Sequence, residues 1–161
     1  MMTKKKTAAL CMLLFVLGGA SGYYYHRQSE RMLDPEKCTA SVVVYYKDVR
    51  ANMTLDFMYT LEKRTGVVAV SGTYYHNDKP LGVIRQDVAY TWTENKDNLR
   101  FHSTRVHKVT NDAAISDDLL NDVLPDFYVY PNKTISYTIL TQGHRGFIFT
   151  VGKRPIFFCA H

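Results

Sequence analysis

The alternation of apolar and polar residues from residue 38 onward predicts a series of β-strands. The clearest segment, residues 52–62, places apolar residues on one face and mostly polar residues on the other. Strands predicted in this way cover residues 41–47, 52–62, 67–75, 82–93, 99–109, 133–142, 145–152 and 155–159. We therefore expect a mainly β domain, an antiparallel barrel or a strongly curved sheet. An open sheet with a helix across one face is the alternative.

One segment departs from this alternation. Between residues 116 and 125 the apolar residues are spaced as in a short helix, which Pro125 would end. Ser116 is the expected N-cap, and the two acidic residues after it favour the positive end of the helix dipole. One short helix is predicted, packed across the sheet or plugging one end of a barrel.

The N-terminal pattern predicts a single transmembrane helix, because residues 7–25 carry no formal charge. A helix of this length would span roughly 28 Å, close to the ~30 Å thickness of the hydrocarbon layer. Lysines at positions 4–6 favour a cytoplasmic N-terminus, and tyrosines at positions 23–25 suit the opposite headgroup layer. The residues expected to anchor the chain are Leu10, Leu13, Leu14, Phe15, Val16 and Leu17.

The same segment has an alternative interpretation as a cleaved secretory signal, with Ala20, Ser21 and Gly22 at the cleavage site. The near-full spanning length and the tyrosines favour a retained anchor. Both interpretations place the remainder outside the cytoplasm. The predicted organisation is a cytoplasmic tail at 1–6, a transmembrane helix at 7–25, a juxtamembrane linker at 26–37 and a periplasmic β-rich domain at 38–161 of a bacterial inner-membrane protein.

Two cysteines lie outside the predicted span, Cys38 and Cys159, near the two ends of the predicted domain. An oxidising compartment favours their pairing as a disulfide. In the chain-entropy model a bond that closes so long a loop stabilises a fold by about 4–5 kcal/mol. No metal site is expected, because neither a further cysteine pair nor a nearby histidine pair accompanies them.

All six histidines follow the predicted span, where they would meet the external pH. The candidates for pH sensing are His76, His102, His107 and His144. Ordinary surface histidines without a sensing role are the alternative. His102 and His107 are five residues apart on one predicted strand, so we expect them on opposite faces.

The aromatic residues of the predicted strands have two interpretations. They form a plain core, or they line an apolar chamber, because a barrel of this size can hold one small molecule. The candidate lining residues are Phe57, Tyr59, Tyr74, Tyr90, Trp92, Phe101, Tyr137, Phe147 and Phe149.

The sequence contains no motif of a known catalytic or cofactor site, so neither enzymatic activity nor a cofactor is expected. The net charge of +5 includes three lysines before the predicted span. The residues after the span lack the excess of positive charge that is typical of a nucleic-acid-binding surface. The predicted cytoplasmic tail is too short to bind DNA. Any effect on gene expression would therefore act through a partner protein.

The order of these features resembles the FidL-like membrane proteins of enteric bacteria, and more closely the small inner-membrane regulators of pH 6 antigen and Myf fimbriae in yersiniae. The features that carry the resemblance are the basic tail, the single span, Cys38, the arginine of Gly82-Val83-Ile84-Arg85, the Leu124-Pro125 helix end and the terminal Pro155-Ile156-Phe157-Phe158-Cys159.

This resemblance implies an accessory subunit similar to ToxS-type proteins. Such a subunit binds and stabilises or activates a membrane-bound ToxR-like transcription factor through its periplasmic domain. It would promote expression of a fimbrial or virulence operon in response to acid pH or another signal. The resemblance also implies a lipocalin-like barrel with room for bile salts. The alternatives are a periplasmic small-ligand or pH-sensing module and a fimbrial assembly chaperone.

Overall fold

The computed structural model describes residues 12, 15–24, 36–96, 98–109 and 115–161. The chain divides into two compact units, residues 1–34 and residues 35–161, and each is described by itself.

In the N-terminal unit, residues 15–24 are helical. Three of the predicted anchor residues, Phe15, Val16 and Leu17, are exposed on this helical segment. The other three, Leu10, Leu13 and Leu14, lie outside the described residues, as does most of the predicted linker at 26–37. Within the described part of the chain, no helix combines the length and the apolar character needed to cross a membrane.

The C-terminal unit contains a closed barrel of eight antiparallel strands, in which each strand pairs with the next and the last pairs with the first. This confirms the mainly β prediction and favours the barrel over the open sheet. The strands are β1 (Glu36–Tyr46), β2 (Val49–Thr60), β3 (Thr65–His76), β4 (Lys79–Asn95), β5 (Asn98–Lys108), β6 (Thr134–Thr141), β7 (Gly146–Val151) and β8 (Arg154–Ala160).

The ladders of hydrogen-bonded strands are long in the first half of the barrel and short in the second. Neighbours from β1 to β5 share ten to twelve paired residues, whereas neighbours from β5 to β8 share four to six. At the seam, β1 and β8 pair at Thr39 and Ala160. The predicted disulfide between Cys38 and Cys159 is present beside this pair. A covalent bond therefore reinforces the shortest ladder of the barrel.

A β-bulge in the β4–β5 ladder, at Ala89 and Tyr90, changes which residues of β5 face inward. Phe101 and Ser103 are buried, and beyond the bulge Val106 packs against the core. His102 and His107 consequently both lie on the outer face. The prediction that they occupy opposite faces was wrong, because one extra residue shifts the period-2 alternation between them.

Two short helices are present among the residues described between β5 and β6: α1 (Asp117–Asn121) lies in the segment predicted as a helix, and α2 (Asp126–Val129) was not predicted. The predicted N-cap is confirmed, since the Ser116 hydroxyl accepts a hydrogen bond from the Leu119 N–H. The first helix ends before Pro125, as predicted, and the prediction of a single helix was wrong because a second helix begins after the proline. Pro125 is the N-cap residue of α2.

Helix α2 packs into the barrel interior and fills one end, which we call the closed end. Phe127, Tyr128 and Val129 are all buried. The Gln86 side-chain amide donates a hydrogen bond to the Tyr128 carbonyl at 2.8 Å, and the Ser103 hydroxyl donates one to the Tyr130 carbonyl at 2.8 Å. These bonds join α2 to the interior faces of β4 and β5.

Candidate functional site

The opposite end of the barrel, which we call the open end, contains a cavity of about 280 Å³. It lies near the first residue of β1, the β2–β3 turn and the end of β6. The residues that line it are Glu36, Cys38, Phe57, Tyr59, Leu61, Tyr90, Trp92, Leu99, Phe101, Ile139, Phe147 and Phe149.

Seven of the nine aromatic residues proposed as chamber lining do line this cavity: Phe57, Tyr59, Tyr90, Trp92, Phe101, Phe147 and Phe149. The other two, Tyr74 and Tyr137, are buried outside the lining. The Tyr74 hydroxyl is buried without a hydrogen-bond partner among the described residues, and burial raises its pKa. The Tyr137 hydroxyl lies 3.1 Å from that of Tyr128 at the closed end.

The remaining five lining residues were not proposed from the sequence. Leu61 shares one face of the predicted strand 52–62 with Phe57, so the same alternation could have identified it, although in the structure it lies in the turn just after β2. Glu36 lies two residues before Cys38, within the segment predicted as linker, although β1 begins there. Because Glu36 is charged and was assigned to the linker, the sequence did not identify it as an inward-facing residue of β1.

The cavity wall is a network of packed aromatic rings. Phe57 stacks on Phe149, with ring centroids 5.2 Å apart. Tyr90 meets Phe101 edge to face at 5.2 Å. The Phe127 ring of α2 contacts both Tyr90 and Phe101, at 6.1 and 6.4 Å, and so separates the cavity from the closed end. Such contacts hold the rings in defined positions around the empty space.

The position of the Tyr90 ring depends on a glycine of the neighbouring strand. Gly66 pairs with Tyr90 across the β3–β4 ladder. A Cβ atom at Gly66 would lie 2.5 Å from the Tyr90 ring and 2.7 Å from the Met58 carbonyl oxygen. The missing side chain therefore provides the space in which the ring lies.

The mouth of the cavity combines one carboxylate with two aromatic side chains. Glu36 pairs with Tyr59 across the β1–β2 ladder, and Tyr59 meets Trp92 edge to face at 6.2 Å. Burial raises the pKa of Tyr59, and a hydrogen bond to Glu36 and the charge of that carboxylate raise the pKa further. Burial also raises the pKa of Tyr90. Both hydroxyls are therefore neutral at physiological pH, and Glu36 is the one charged side chain among the described lining residues.

The four histidines proposed as pH sensors lie apart from this cavity. His76 and His107 are exposed at the ends of β3 and β5, and His144 is exposed in a 3₁₀ turn, Gly143–Arg145. His102 is half-buried on the outer face of β5, where its Nδ1 lies 3.4 Å from the Thr134 hydroxyl. A sensing role for any of them stays a prediction.

A row of apolar side chains crosses the outer face of β6, β7 and β8. Leu140 pairs with Ile148, and Ile148 pairs with Phe158. Leu140 and Phe158 are 49% and 44% exposed, and Ile148 is half-buried. Since large apolar side chains aligned on a surface mark interaction sites, we call these three residues the outer row.

The fold and the site define a class of protein: an eight-stranded antiparallel barrel with an apolar cavity at one end. Within that class, the chain belongs to the YqeJ C-terminal domain family, whose model matches residues 35–159. It is 42% identical over 132 residues to the uncharacterized protein YqeJ of Escherichia coli (strain K12), covering 82% of each chain. These comparisons give no support to the FidL-like resemblance or to a link with fimbrial regulators.

Proposed function

We propose that the barrel binds one small, mostly apolar molecule in the open-end cavity. The observation that carries this proposal is the lining itself, which consists of aromatic and aliphatic side chains, one disulfide cysteine and one carboxylate. Binding sites for small molecules commonly combine a concave apolar lining with few polar groups.

Imperfect packing is a poor alternative explanation for the cavity. Protein interiors contain few voids larger than a water molecule, and a water needs only about 10–15 Å³. The volume of about 280 Å³ is far larger. The closed end of the same barrel is filled by α2. The interior of this barrel can therefore be packed without a cavity. An apolar cavity favours an apolar occupant over water.

Trp92 provides a direct test, because it is the only tryptophan in the chain and it lines the cavity. We expect the neutral probe 4-phenylbutanol to change Trp92 fluorescence saturably in the full-length chain, held in phosphatidylcholine nanodiscs. Leu99→Phe places a larger side chain in the cavity and should weaken binding about tenfold or more, which corresponds to about 1.4 kcal/mol.

Leu119→Phe is the matched control, because Leu119 is a half-buried residue of α1 outside the lining. This variant should bind the probe as the wild type does. The proposal would be overturned if no binding occurred at millimolar concentration, or if Leu99→Phe left the affinity unchanged.

A second candidate function is that of an accessory subunit for a ToxR-like transcription factor of the same membrane. In this proposal the chain is a single-pass inner-membrane protein whose residues 7–25 anchor it and whose barrel is periplasmic. The lysines at positions 4–6 support that orientation, and the disulfide suits an oxidising compartment. The outer row is the specific observation that favours a protein partner.

Co-purification from membranes tests the accessory role. Phe158→Asp should reduce recovery of a co-expressed ToxR-like factor, because a charge would replace an apolar contact. Leu81→Asp is the control, since Leu81 is similarly exposed, at 41%, but lies on β4 outside the outer row. Equal recovery with both variants, or no association of the wild-type chain, would reject this candidate.

A further inference from the structure

We infer that the cavity selects a cationic amphiphile, a molecule with an apolar or aromatic body and an amine at the end that faces Glu36. This inference rests on the proposed ligand-binding function and adds the charge of the ligand. Three features support it: the position of one carboxylate, the absence of a cationic partner for that carboxylate among the described residues, and the aromatic rings at the same mouth.

Glu36 occupies an inward-facing position at the mouth. It lies on the same face of β1 as Cys38 and Ala40, which are buried. Glu36 itself is exposed and lines the cavity. The carboxylate therefore lies where the apolar interior meets water, which suits the polar end of a ligand whose body is inside.

The carboxylate of Glu36 has no protein cation to neutralise it within the described residues. The ion pairs that the structure shows join Arg50 to Asp78, Lys108 to Asp117 and Lys133 to Asp126. Lys37 is the next residue of β1, and strand alternation places it on the opposite face. A ligand cation would meet a carboxylate that none of the described cationic side chains pairs with.

The aromatic rings next to Glu36 are suited to the same charge. An ammonium group is attracted to the faces of tryptophan and tyrosine rings, and aromatic side chains are the usual partners of alkylated amines. Tyr59 is the cross-strand neighbour of Glu36, the Trp92 ring contacts Tyr59, and both rings line the cavity. The Tyr59 hydroxyl stays neutral and hydrogen-bonds Glu36, so it adds no second charge to the mouth.

The expected preference is moderate, because Glu36 is exposed to solvent. An exposed ion pair and a cation–π contact each contribute modestly, so together they should make an amine bind about tenfold more tightly than a matched neutral molecule. A carboxylate ligand would be repelled by Glu36 and should bind more weakly than the neutral molecule.

A matched series of probes measures this preference. 4-Phenylbutylamine, 4-phenylbutanol and 4-phenylbutyrate share one apolar body and differ in the charge of the polar end. We expect Trp92 fluorescence titrations at pH 7 to rank their affinities in that order for the full-length chain in phosphatidylcholine nanodiscs. Glu36→Gln should reduce the preference for the amine over the alcohol from about tenfold to about threefold, because the cation–π contacts remain, and should leave the alcohol affinity unchanged.

Glu94→Gln is the control, because it removes an exposed carboxylate at the same end of the barrel outside the lining. It should preserve the amine preference. The inference would be overturned if the butyrate bound as tightly as the amine, or if Glu36→Gln did not reduce the preference. Binding of the alcohol without charge selectivity would reject the amine inference alone. Absence of binding by all three probes would reject the proposed function as well.

Discussion

Different interactions stabilise the two ends of the barrel. At the closed end, α2 fills the interior with Phe127 and Tyr128, and buried hydrogen bonds join it to β4 and β5. At the open end, the interior contains a cavity, and the Cys38–Cys159 disulfide ties the seam where β1 and β8 share one pair. An end that contains a cavity has fewer packing contacts, and a covalent bond can compensate for the missing ones.

Removing the disulfide at the open end should cause the largest loss of stability. Because the bond joins residues 121 positions apart, the Cys38→Ser/Cys159→Ser double variant should lose about 4–5 kcal/mol of unfolding free energy in the chain-entropy model. Urea unfolding measured by circular dichroism checks this, with Cys11→Ser as a control outside the loop. A loss below about 1 kcal/mol would show that packing alone holds the open end.

Truncating an aromatic side chain should reduce the free energy of unfolding more at the closed end than at the open end. Phe127→Ala leaves a void among buried rings and should destabilise the fold by about 3–5 kcal/mol. Phe147→Ala should cost clearly less, because Phe147 is half-buried and already borders the cavity. The same urea titration measures both variants. Equal costs would mean that the open end is packed as tightly as the closed end.

Alkaline pH should destabilise the fold through its buried tyrosines. Burial raises the pKa of Tyr137 from 10.0 to about 12 and raises that of Tyr128 well above its ordinary value. The folded state therefore favours the neutral hydroxyls, and the stability they contribute is complete below pH 10 and is lost as the pH rises toward 12. For Tyr137 alone the loss should be about 2–3 kcal/mol.

Unfolding by urea at pH 8 and pH 11, with tyrosinate absorbance recorded in parallel, measures this loss. Tyr128→Phe should reduce the difference between the two pH values. Tyr45→Phe should not, because Tyr45 is 72% exposed on β1. The prediction fails if the stability at the two pH values is the same.

The smallest effect concerns enlarged side chains. Enlarging one should leave the free energy of unfolding nearly unchanged at the open end but not in the packed core. Leu99→Phe extends into the cavity and should change stability by less than about 1 kcal/mol. Val68→Phe should cost about 1–3 kcal/mol, because Val68 is fully buried in the packed core. Thermal unfolding separates the two variants, and a similar loss in both would argue against usable space at Leu99.

Local patterns determined the strands and most of the cavity lining. Successive side chains of a strand alternate between two faces, so Phe57, Phe101 and Phe149 could be assigned inward from their neighbours alone. Ser116 was identified as an N-cap for the same reason, because its bonds are made within one turn. The cysteine pairing followed from composition and compartment rather than from geometry.

The remaining features depended on contacts between distant segments. The bulge at Ala89 and Tyr90 arises from strand pairing, so alternation alone could not place His102 and His107. Tyr137 lies outside the cavity lining because its hydroxyl contacts that of Tyr128, a residue of α2 inside the barrel.

The sequence by itself determined the barrel strands, the helical region and the cysteines available for pairing, because these depend on residues near one another in the chain. Only the tertiary structure decided which end of the barrel is filled and that Glu36 stands at the mouth of the cavity. The physical reason is that a cavity is what remains after distant side chains have packed, and no local period encodes its position.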